Sequence, residues 1–144
     1  MGRIIALDYG SVRVGIAVTD PGQIIATGLA TVATNEIMDF LKGYIKKEDV
    51  ESFVVGDPKH LNNTPAQSAE AAKMFVEALR QTFPLLPVHT IDERFTSRMA
   101  LQAMIDGGMK KKDRRNKAMI DKVSATIILQ SFMEMKKSGT LPAK

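Results

Sequence analysis

Apolar side chains fill both pleat phases of residues 3–8, with Ile5 and Leu7 on one and Ile4 and Ala6 on the other. A strand that is apolar on two faces is covered on both, so this segment predicts a central strand. Residues 12–19 instead alternate large apolar positions (Val12, Val14, Ile16, Val18) with small or polar ones (Arg13, Gly15, Ala17, Thr19), the pattern of a half-buried strand. Tyr9-Gly10-Ser11 between them suits a tight hairpin, in which Gly10 supplies a backbone conformation that side chains resist. Asp20-Pro21-Gly22 forms a second turn, and residues 23–32 read as a third strand that completes an antiparallel meander.

The period then changes. Ile37, Phe40, Leu41, Tyr44 and Ile45 recur at helical spacing, and Phe53-Val54-Val55 reads as a short buried strand ending at Gly56. Residues 65–82 are helical, with Ala69, Ala72, Val76 and Leu79 on one face. Thr64 and Gln67 form a capping box there, and Pro65 takes the first helical position. Leu86–Ile91 gives a fifth strand. A helix from about Ser97 to Asp106 stops at Gly107-Gly108, and a last helix spans roughly 116–137. No repeat, low-complexity tract or linker divides the chain, so 1–144 is expected to be one domain with a frayed tail at 138–144. The order predicts an α/β fold: a five-stranded mixed sheet, three antiparallel strands followed by parallel β-α-β units, with helices on both faces. Strands 1, 4 and 5 would be parallel, and open sheets of this kind place ligands at the carboxyl ends of such strands.

At 144 residues, the chain can bury about two-thirds of its unfolded surface and needs no disulfide to fold. It contains no cysteine, which excludes a thiolate nucleophile and any cysteine-based metal centre. Only two histidines are present, which argues against a histidine-rich zinc site; His89 lies in a strand and reads as structural, whereas His60 sits in the loop after strand 4. Nine methionines, several on helical apolar faces, read as core filler. The start of the chain reaches Asp8 after four consecutive apolar residues, too few for a signal-peptide core, and no apolar run is long enough to span a bilayer. A cytoplasmic location without a membrane partner is therefore expected.

Charge changes the picture. The net charge is +4, yet Lys110-Lys111-Lys112-Asp113-Arg114-Arg115-Asn116-Lys117 alone carries +5, leaving the rest of the chain at −1. Basicity this local is expected of a patch that meets a polyanion. The carboxyl ends of strands 1, 4 and 5 carry Asp8, Gly56-Asp57 and Asp92-Glu93. Asp8 is in phase with Ile4 and Ala6 and so faces a helix-covered side, where an acid is costly unless partnered. On the last helix, Val123, Ile127, Ile120, Ser131, Ser124, Met135, Ile128, Phe132 and Ala125 form an apolar and small arc. Lys122, Lys136, Lys137 and Gln130 fall opposite, and Asp121 falls inside the arc between Ile128 and Phe132. Three acids from distant segments thus converge: Asp8, Glu93 or Asp92, and Asp121. A hard divalent cation relieves their repulsion, and two such ions about 4 Å apart activate a water and stabilise a leaving oxygen in phosphodiester hydrolysis.

Four segments also carry a resemblance. Leu7-Asp8-Tyr9-Gly10-Ser11-Val12-Arg13-Val14-Gly15-Ile16-Ala17-Val18, Val54-Val55-Gly56, Asp92-Glu93-Arg94-Phe95-Thr96-Ser97 and Asn116-Lys117 through Ile120-Asp121-Lys122-Val123-Ser124-Ala125 resemble the YqgF family. Its members are ribonuclease H-like proteins described as Holliday junction resolvases and as pre-16S rRNA nucleases. The likeness runs through the whole chain in order. It implies a ribonuclease H-like nuclease in which Asp8, Glu93 and Asp121 bind Mg²⁺ or Mn²⁺ (two ions) and catalyse. It further implies that Asp92 orients the site, that Arg94 is a structural or phosphate-facing partner, and that Gly10, Gly15 and Gly56 belong to the structural motif. The implied partners are precursor rRNA or branched DNA, and ribosomal particles, with Lys110, Lys111, Lys112, Arg114, Arg115 and Lys117 meeting the nucleic acid. The chain departs from the family after strand 4. There Gly56-Asp57-Pro58 and Asn62-Asn63-Thr64 stand where Gly-Leu-Pro and Asp-Gly-Thr are usual, which alters the loop's charge and turn but not the three acids.

Two other readings compete. A nucleic-acid-binding module of the same fold without catalysis would not need all three acids. A phosphate-loop ATPase is suggested by Asp8-Tyr9-Gly10-Ser11 through Gly15, but that class closes two such domains around its nucleotide, and 144 residues cannot supply them.

Overall fold

A computed structural model describes residues 2–57, 66–92 and 117–138, with 57, 66–69, 92, 117–121 and 138 given by their backbone. The elements are β1 (Arg3–Tyr9), β2 (Arg13–Thr19), β3 (Ala26–Ala33), a 3₁₀ turn (Thr34–Glu36) and α1 (Ile37–Lys47). They continue with β4 (Val50–Asp57), α2 (Ala66–Thr82), β5 (Val88–Asp92) and a long helix, α3 (Lys117–Ser138). The five strands form one sheet in the order β3-β2-β1-β4-β5. β1 pairs antiparallel with β2 and β2 with β3, while β1–β4 and β4–β5 are parallel. The expected mixed sheet is found, with β1 at its centre.

The two apolar phases of β1 explain its place. Ile5 and Leu7 pack with Val14, Ile16, Phe53 and Val55 against Leu41 of α1 and Phe75, Val76 and Leu79 of α2. Ile4 and Ala6 pack with Ala17, Val54 and Ile91 against Ala125, Ile128, Leu129 and Phe132 of α3. Phe132 also packs its ring against His89, with 5.0 Å between centroids and the planes tilted by 37°, so His89 is part of the packing, as expected. Among the described residues no helix is long and apolar enough to cross a membrane.

Several local expectations need correction. β2 is buried from Val14 to Thr19 rather than half-buried, because its small residues Gly15 and Ala17 let α3 settle on that face. Val12 is not a strand residue; it stands in the hairpin loop, 70 % exposed. Ile24 and Ile25 lie outside β3 in the preceding turn. There the Asp20 carboxylate accepts the N–H groups of Ile24 and Ile25, both at 2.7 Å, and of Gly22 at 3.2 Å. This cap puts the left-handed backbone on Gln23 (φ 57°), not on Gly22. Gly10 is required by space: a Cβ there would sit 2.6 Å from the Arg13 carbonyl oxygen. On α3, Leu129 is fully buried while Val123 is only half-buried, so the sheet-facing arc is rotated from the one expected. Lys136 does not simply face water, since its Nζ donates to Gln23 Oε1 at 2.8 Å and to Glu51 Oε2 at 3.0 Å. The bond from Lys136 and, after it, one from Gln23 Nε2 at 2.6 Å hold the Glu51 carboxyl below its ordinary pKa. The helix expected near Ser97–Asp106 and the capping box at Thr64 lie outside the described residues.

Candidate active site

Register places Asp8 at the carboxyl end of the central strand, on the face covered by α3. It pairs across to Gly15 of β2. On the other side the last paired residues are Leu7 and Val55, so one step further Asp8 comes level with Gly56, which is itself paired to Ile91. The row therefore reads Gly15–Asp8–Gly56, with a half-buried acid between two residues that have no side chain. Neighbouring strands stand about 4.8 Å apart, so any larger residue at either glycine would fill the space beside the carboxylate. In the next row Asp57 and Asp92 pair at the ends of β4 and β5. The parallel strands thus end in three aspartates along one edge.

The direction of α3 brings its first turns to the same edge. Its far end is fastened to the amino ends of the strands by the Lys136–Glu51 ion pair at 3.0 Å, and Gln23 Nε2 continues the link to the Gly2 carbonyl at 2.8 Å. Nearer its start, the helix passes directly over Gly28, where a Cβ would lie 3.3 Å from Thr126 Oγ1 and 3.5 Å from Lys122 Cβ. Gly28 pairs with Ala17, two residues from Gly15. Two strand residues span about 6.6 Å and one helical turn about 5.4 Å, so the backbone at 121, next to Lys122, stands within about a turn of the Asp8 row. By helical phase, position 121 lies on the same side as Ile128 and Phe132, both 1 % exposed against the sheet.

Of the expected site residues, the structure thus sets Asp8, Gly15, Gly56 and the backbone of Asp92 and Asp121 at one edge, with Gly10 in the adjoining hairpin. Lys117 is the first residue of α3. Glu93, Arg94, Lys110, Lys111, Lys112, Arg114 and Arg115 lie outside the described residues, as do His60 and Asn63. Among the described residues no group of three His, Asp or Glu side chains that could hold a metal ion is found. Carboxylate oxygens are hard donors of the kind Mg²⁺ or Mn²⁺ takes, so Asp8 suits a divalent cation in donor type.

The hairpin tip carries a contact that sequence reasoning missed. Thr34 donates its hydroxyl to the Gly10 carbonyl at 2.6 Å and its N–H to the Val12 carbonyl at 3.0 Å. The partners are more than twenty residues apart, and no local pattern announces them.

Comparisons with known proteins identify the family and the fold. The model of the family described as "RuvX: Holliday junction resolvase" matches residues 2–135. A protein of Phocaeicola vulgatus is 55 % identical over 137 residues, covering 95 % of this chain and 99 % of its own. One of Christiangramia forsetii is 53 % identical over 133 residues, covering 92 % and 98 %. Both bear the provisional name pre-16S rRNA nuclease. Among solved structures, Thermus thermophilus RuvC in complex with a Holliday junction substrate superposes with a TM-score of 0.67 at 17 % identity, covering 98 % of each chain. That likeness is one of fold.

Proposed function

The chain belongs to the RuvX family of Holliday junction resolvases, and from that premise we propose that it is a metal-dependent endonuclease that hydrolyses phosphodiester bonds in structured nucleic acid. Its substrate is the 5′ end of pre-16S rRNA, cut during ribosome biogenesis in the cytoplasm, where ribosomal particles would be its partners. The observation that carries the reading is the Gly15–Asp8–Gly56 row, with the start of α3 brought to the same edge.

Asp8, Glu93 and Asp121 would hold Mg²⁺ or Mn²⁺, two ions in all, with Asp92 orienting the set. Such ions, when bound, supply an activated water and stabilise the departing oxygen. The chain's own contribution is position. Asp8 sits at the carboxyl end of the central strand, paired to Gly15 of β2, so the sheet fixes the backbone that carries its carboxylate. The Lys110–Lys117 segment would draw in phosphates by charge, and Arg94 would face one of them.

RNA as the substrate is supported by the names of relatives that share half or more of their residues with this chain. The family description supports branched DNA as the second reading. Cleavage of 5′-extended precursor 16S rRNA and of a synthetic four-way junction, side by side with Mg²⁺ or Mn²⁺, separates them. Metal-dependent cuts in the rRNA alone are expected. Cuts in the junction alone would establish the second reading, and no metal-dependent cuts in either would refute the nuclease assignment.

A further inference from the structure

We propose that Arg13 is a substrate-positioning residue that takes a backbone phosphate adjacent to the one at Asp8; this rests on the nuclease reading of the site. The β1–β2 hairpin places it there. β2 pairs with β1 without a register shift from Val14 to Val18 and begins one residue earlier at Arg13, and Ala17 packs under α3, so Gly15 and Arg13 share that face. Gly15 is the direct partner of Asp8, which makes Arg13 its diagonal neighbour. Diagonal pairs have backbones about 7–8 Å apart, with no side chain at Gly15 between them. That span is of the order of the distance between consecutive phosphates on an extended strand.

Charge favours a cation at this position. A polyanion approaching Asp8 is repelled unless positive charge stands beside it. Of the two strand arginines, Arg3 lies at the opposite end of the sheet, tied to Glu48 at 3.2 Å and to the Thr19 carbonyl at 2.9 Å. Arg13 is the one at the aspartate edge.

The loop that carries it is held in shape. Thr34 fastens the Gly10 and Val12 carbonyls, and the close approach of Gly10 to the Arg13 carbonyl leaves no room for a side chain. Ser11 and Val12 nevertheless remain exposed, so the tip is a firm, open surface next to Asp8. A planar guanidinium on such a rest suits bidentate phosphate contact.

The test compares wild type, Arg13→Gln and Arg13→Lys as full chains. Binding of 5′-extended precursor 16S rRNA is titrated over a series of salt concentrations, and melting is followed in parallel. Arg13→Gln is expected to weaken binding about tenfold and to lower the salt slope by roughly 0.7–0.9, the share of a single neutralised phosphate, at a temperature where melting shows every variant folded. Arg13→Lys should restore the slope and part of the affinity. An unchanged slope, whatever the affinity, overturns the proposal, as does a melting temperature that falls while binding stays level. Cleavage by wild type in the same preparation reports on the nuclease reading separately: if it is absent while the slope still responds to Arg13, the positioning role stands and the catalytic reading does not.

Discussion

One substitution, glycine to alanine, has opposite effects at different points of this fold. At Gly43, inside α1, an added Cβ meets nothing within 4 Å. Only the helical gain remains there, about 0.5–1 kcal/mol of stabilisation. At Gly28 the Cβ would lie 3.3 Å from Thr126 Oγ1 and 3.5 Å from Lys122 Cβ. This is tight contact with side chains that can give, so the gain from a stiffer unfolded chain is offset and the net change stays within about 0.5 kcal/mol. At Gly10 the Cβ would sit 2.6 Å from the Arg13 carbonyl oxygen. Carbon meets such an oxygen at roughly 3.3 Å, so the hairpin backbone must move, at a cost of about 1–3 kcal/mol. The spread between Gly43→Ala and Gly10→Ala is therefore about 1.5–4 kcal/mol in otherwise identical chemistry. Urea titrations of the three variants and wild type measure it directly, with unchanged m-values as the sign that only stability has moved. The expected order of midpoints is Gly43→Ala above wild type, Gly28→Ala beside it and Gly10→Ala below. A Gly10→Ala midpoint at or above that of wild type would refute the packing argument for the hairpin.

Two further outcomes are expected. The three N–H groups bound by Asp20 hold its carboxyl below the usual value of 3.8, those of Ile25 and Ile24 most strongly. A lowered folded pKa stabilises the fold above the unfolded value, and that stabilisation is lost as pH falls through the folded value. Wild type should therefore lose more of its urea midpoint than Asp20→Asn between pH 5 and pH 3, and parallel losses would show that the cap does not contribute. Neutralising Lys111, Lys112, Arg114 and Arg115 together should flatten the salt dependence of RNA binding by roughly 0.7–0.9 log units for each phosphate these side chains neutralise, whereas an unchanged slope would mean that this segment is merely solvated.

The frame of the fold was legible because it depends on neighbours in sequence. The two apolar phases of Ile4–Leu7 gave β1 its central place, and the switch in period after residue 35 separated meander from crossovers. Phase also put Asp8 on the face that α3 covers. What was not legible came from contacts between distant segments. The left-handed backbone falls on Gln23 because Asp20 captures the N–H groups of Ile24 and Ile25, a choice that a Pro-Gly turn conceals. Lys136 looks like a solvent-facing lysine until β4 and the β2–β3 turn bring Glu51 and Gln23 to it. Leu129 is buried because the helix settles over Ala17 and Gly28, which rotates its sheet-facing side from the arc that periodicity alone suggests. In the sequence Arg13 is a polar member of an alternating strand and one residue of the Leu7–Val18 motif; its diagonal relation to Asp8 requires the register.

The central claim is that Asp8 is part of one catalytic unit with Glu93 and Asp121. Single-turnover cleavage of 5′-extended precursor 16S rRNA with Mg²⁺, by wild type, Asp8→Asn, Asp121→Asn and the double variant, tests it most directly. Asparagine keeps the shape of the side chain and removes its charge, so folding should persist, which melting checks in the same samples. Each single variant should lose cleavage by orders of magnitude, and the double variant should lose little more, since groups that act as a unit are not additive. RNA binding should change far less. Near-wild-type, metal-dependent cleavage by folded Asp8→Asn would contradict the assignment.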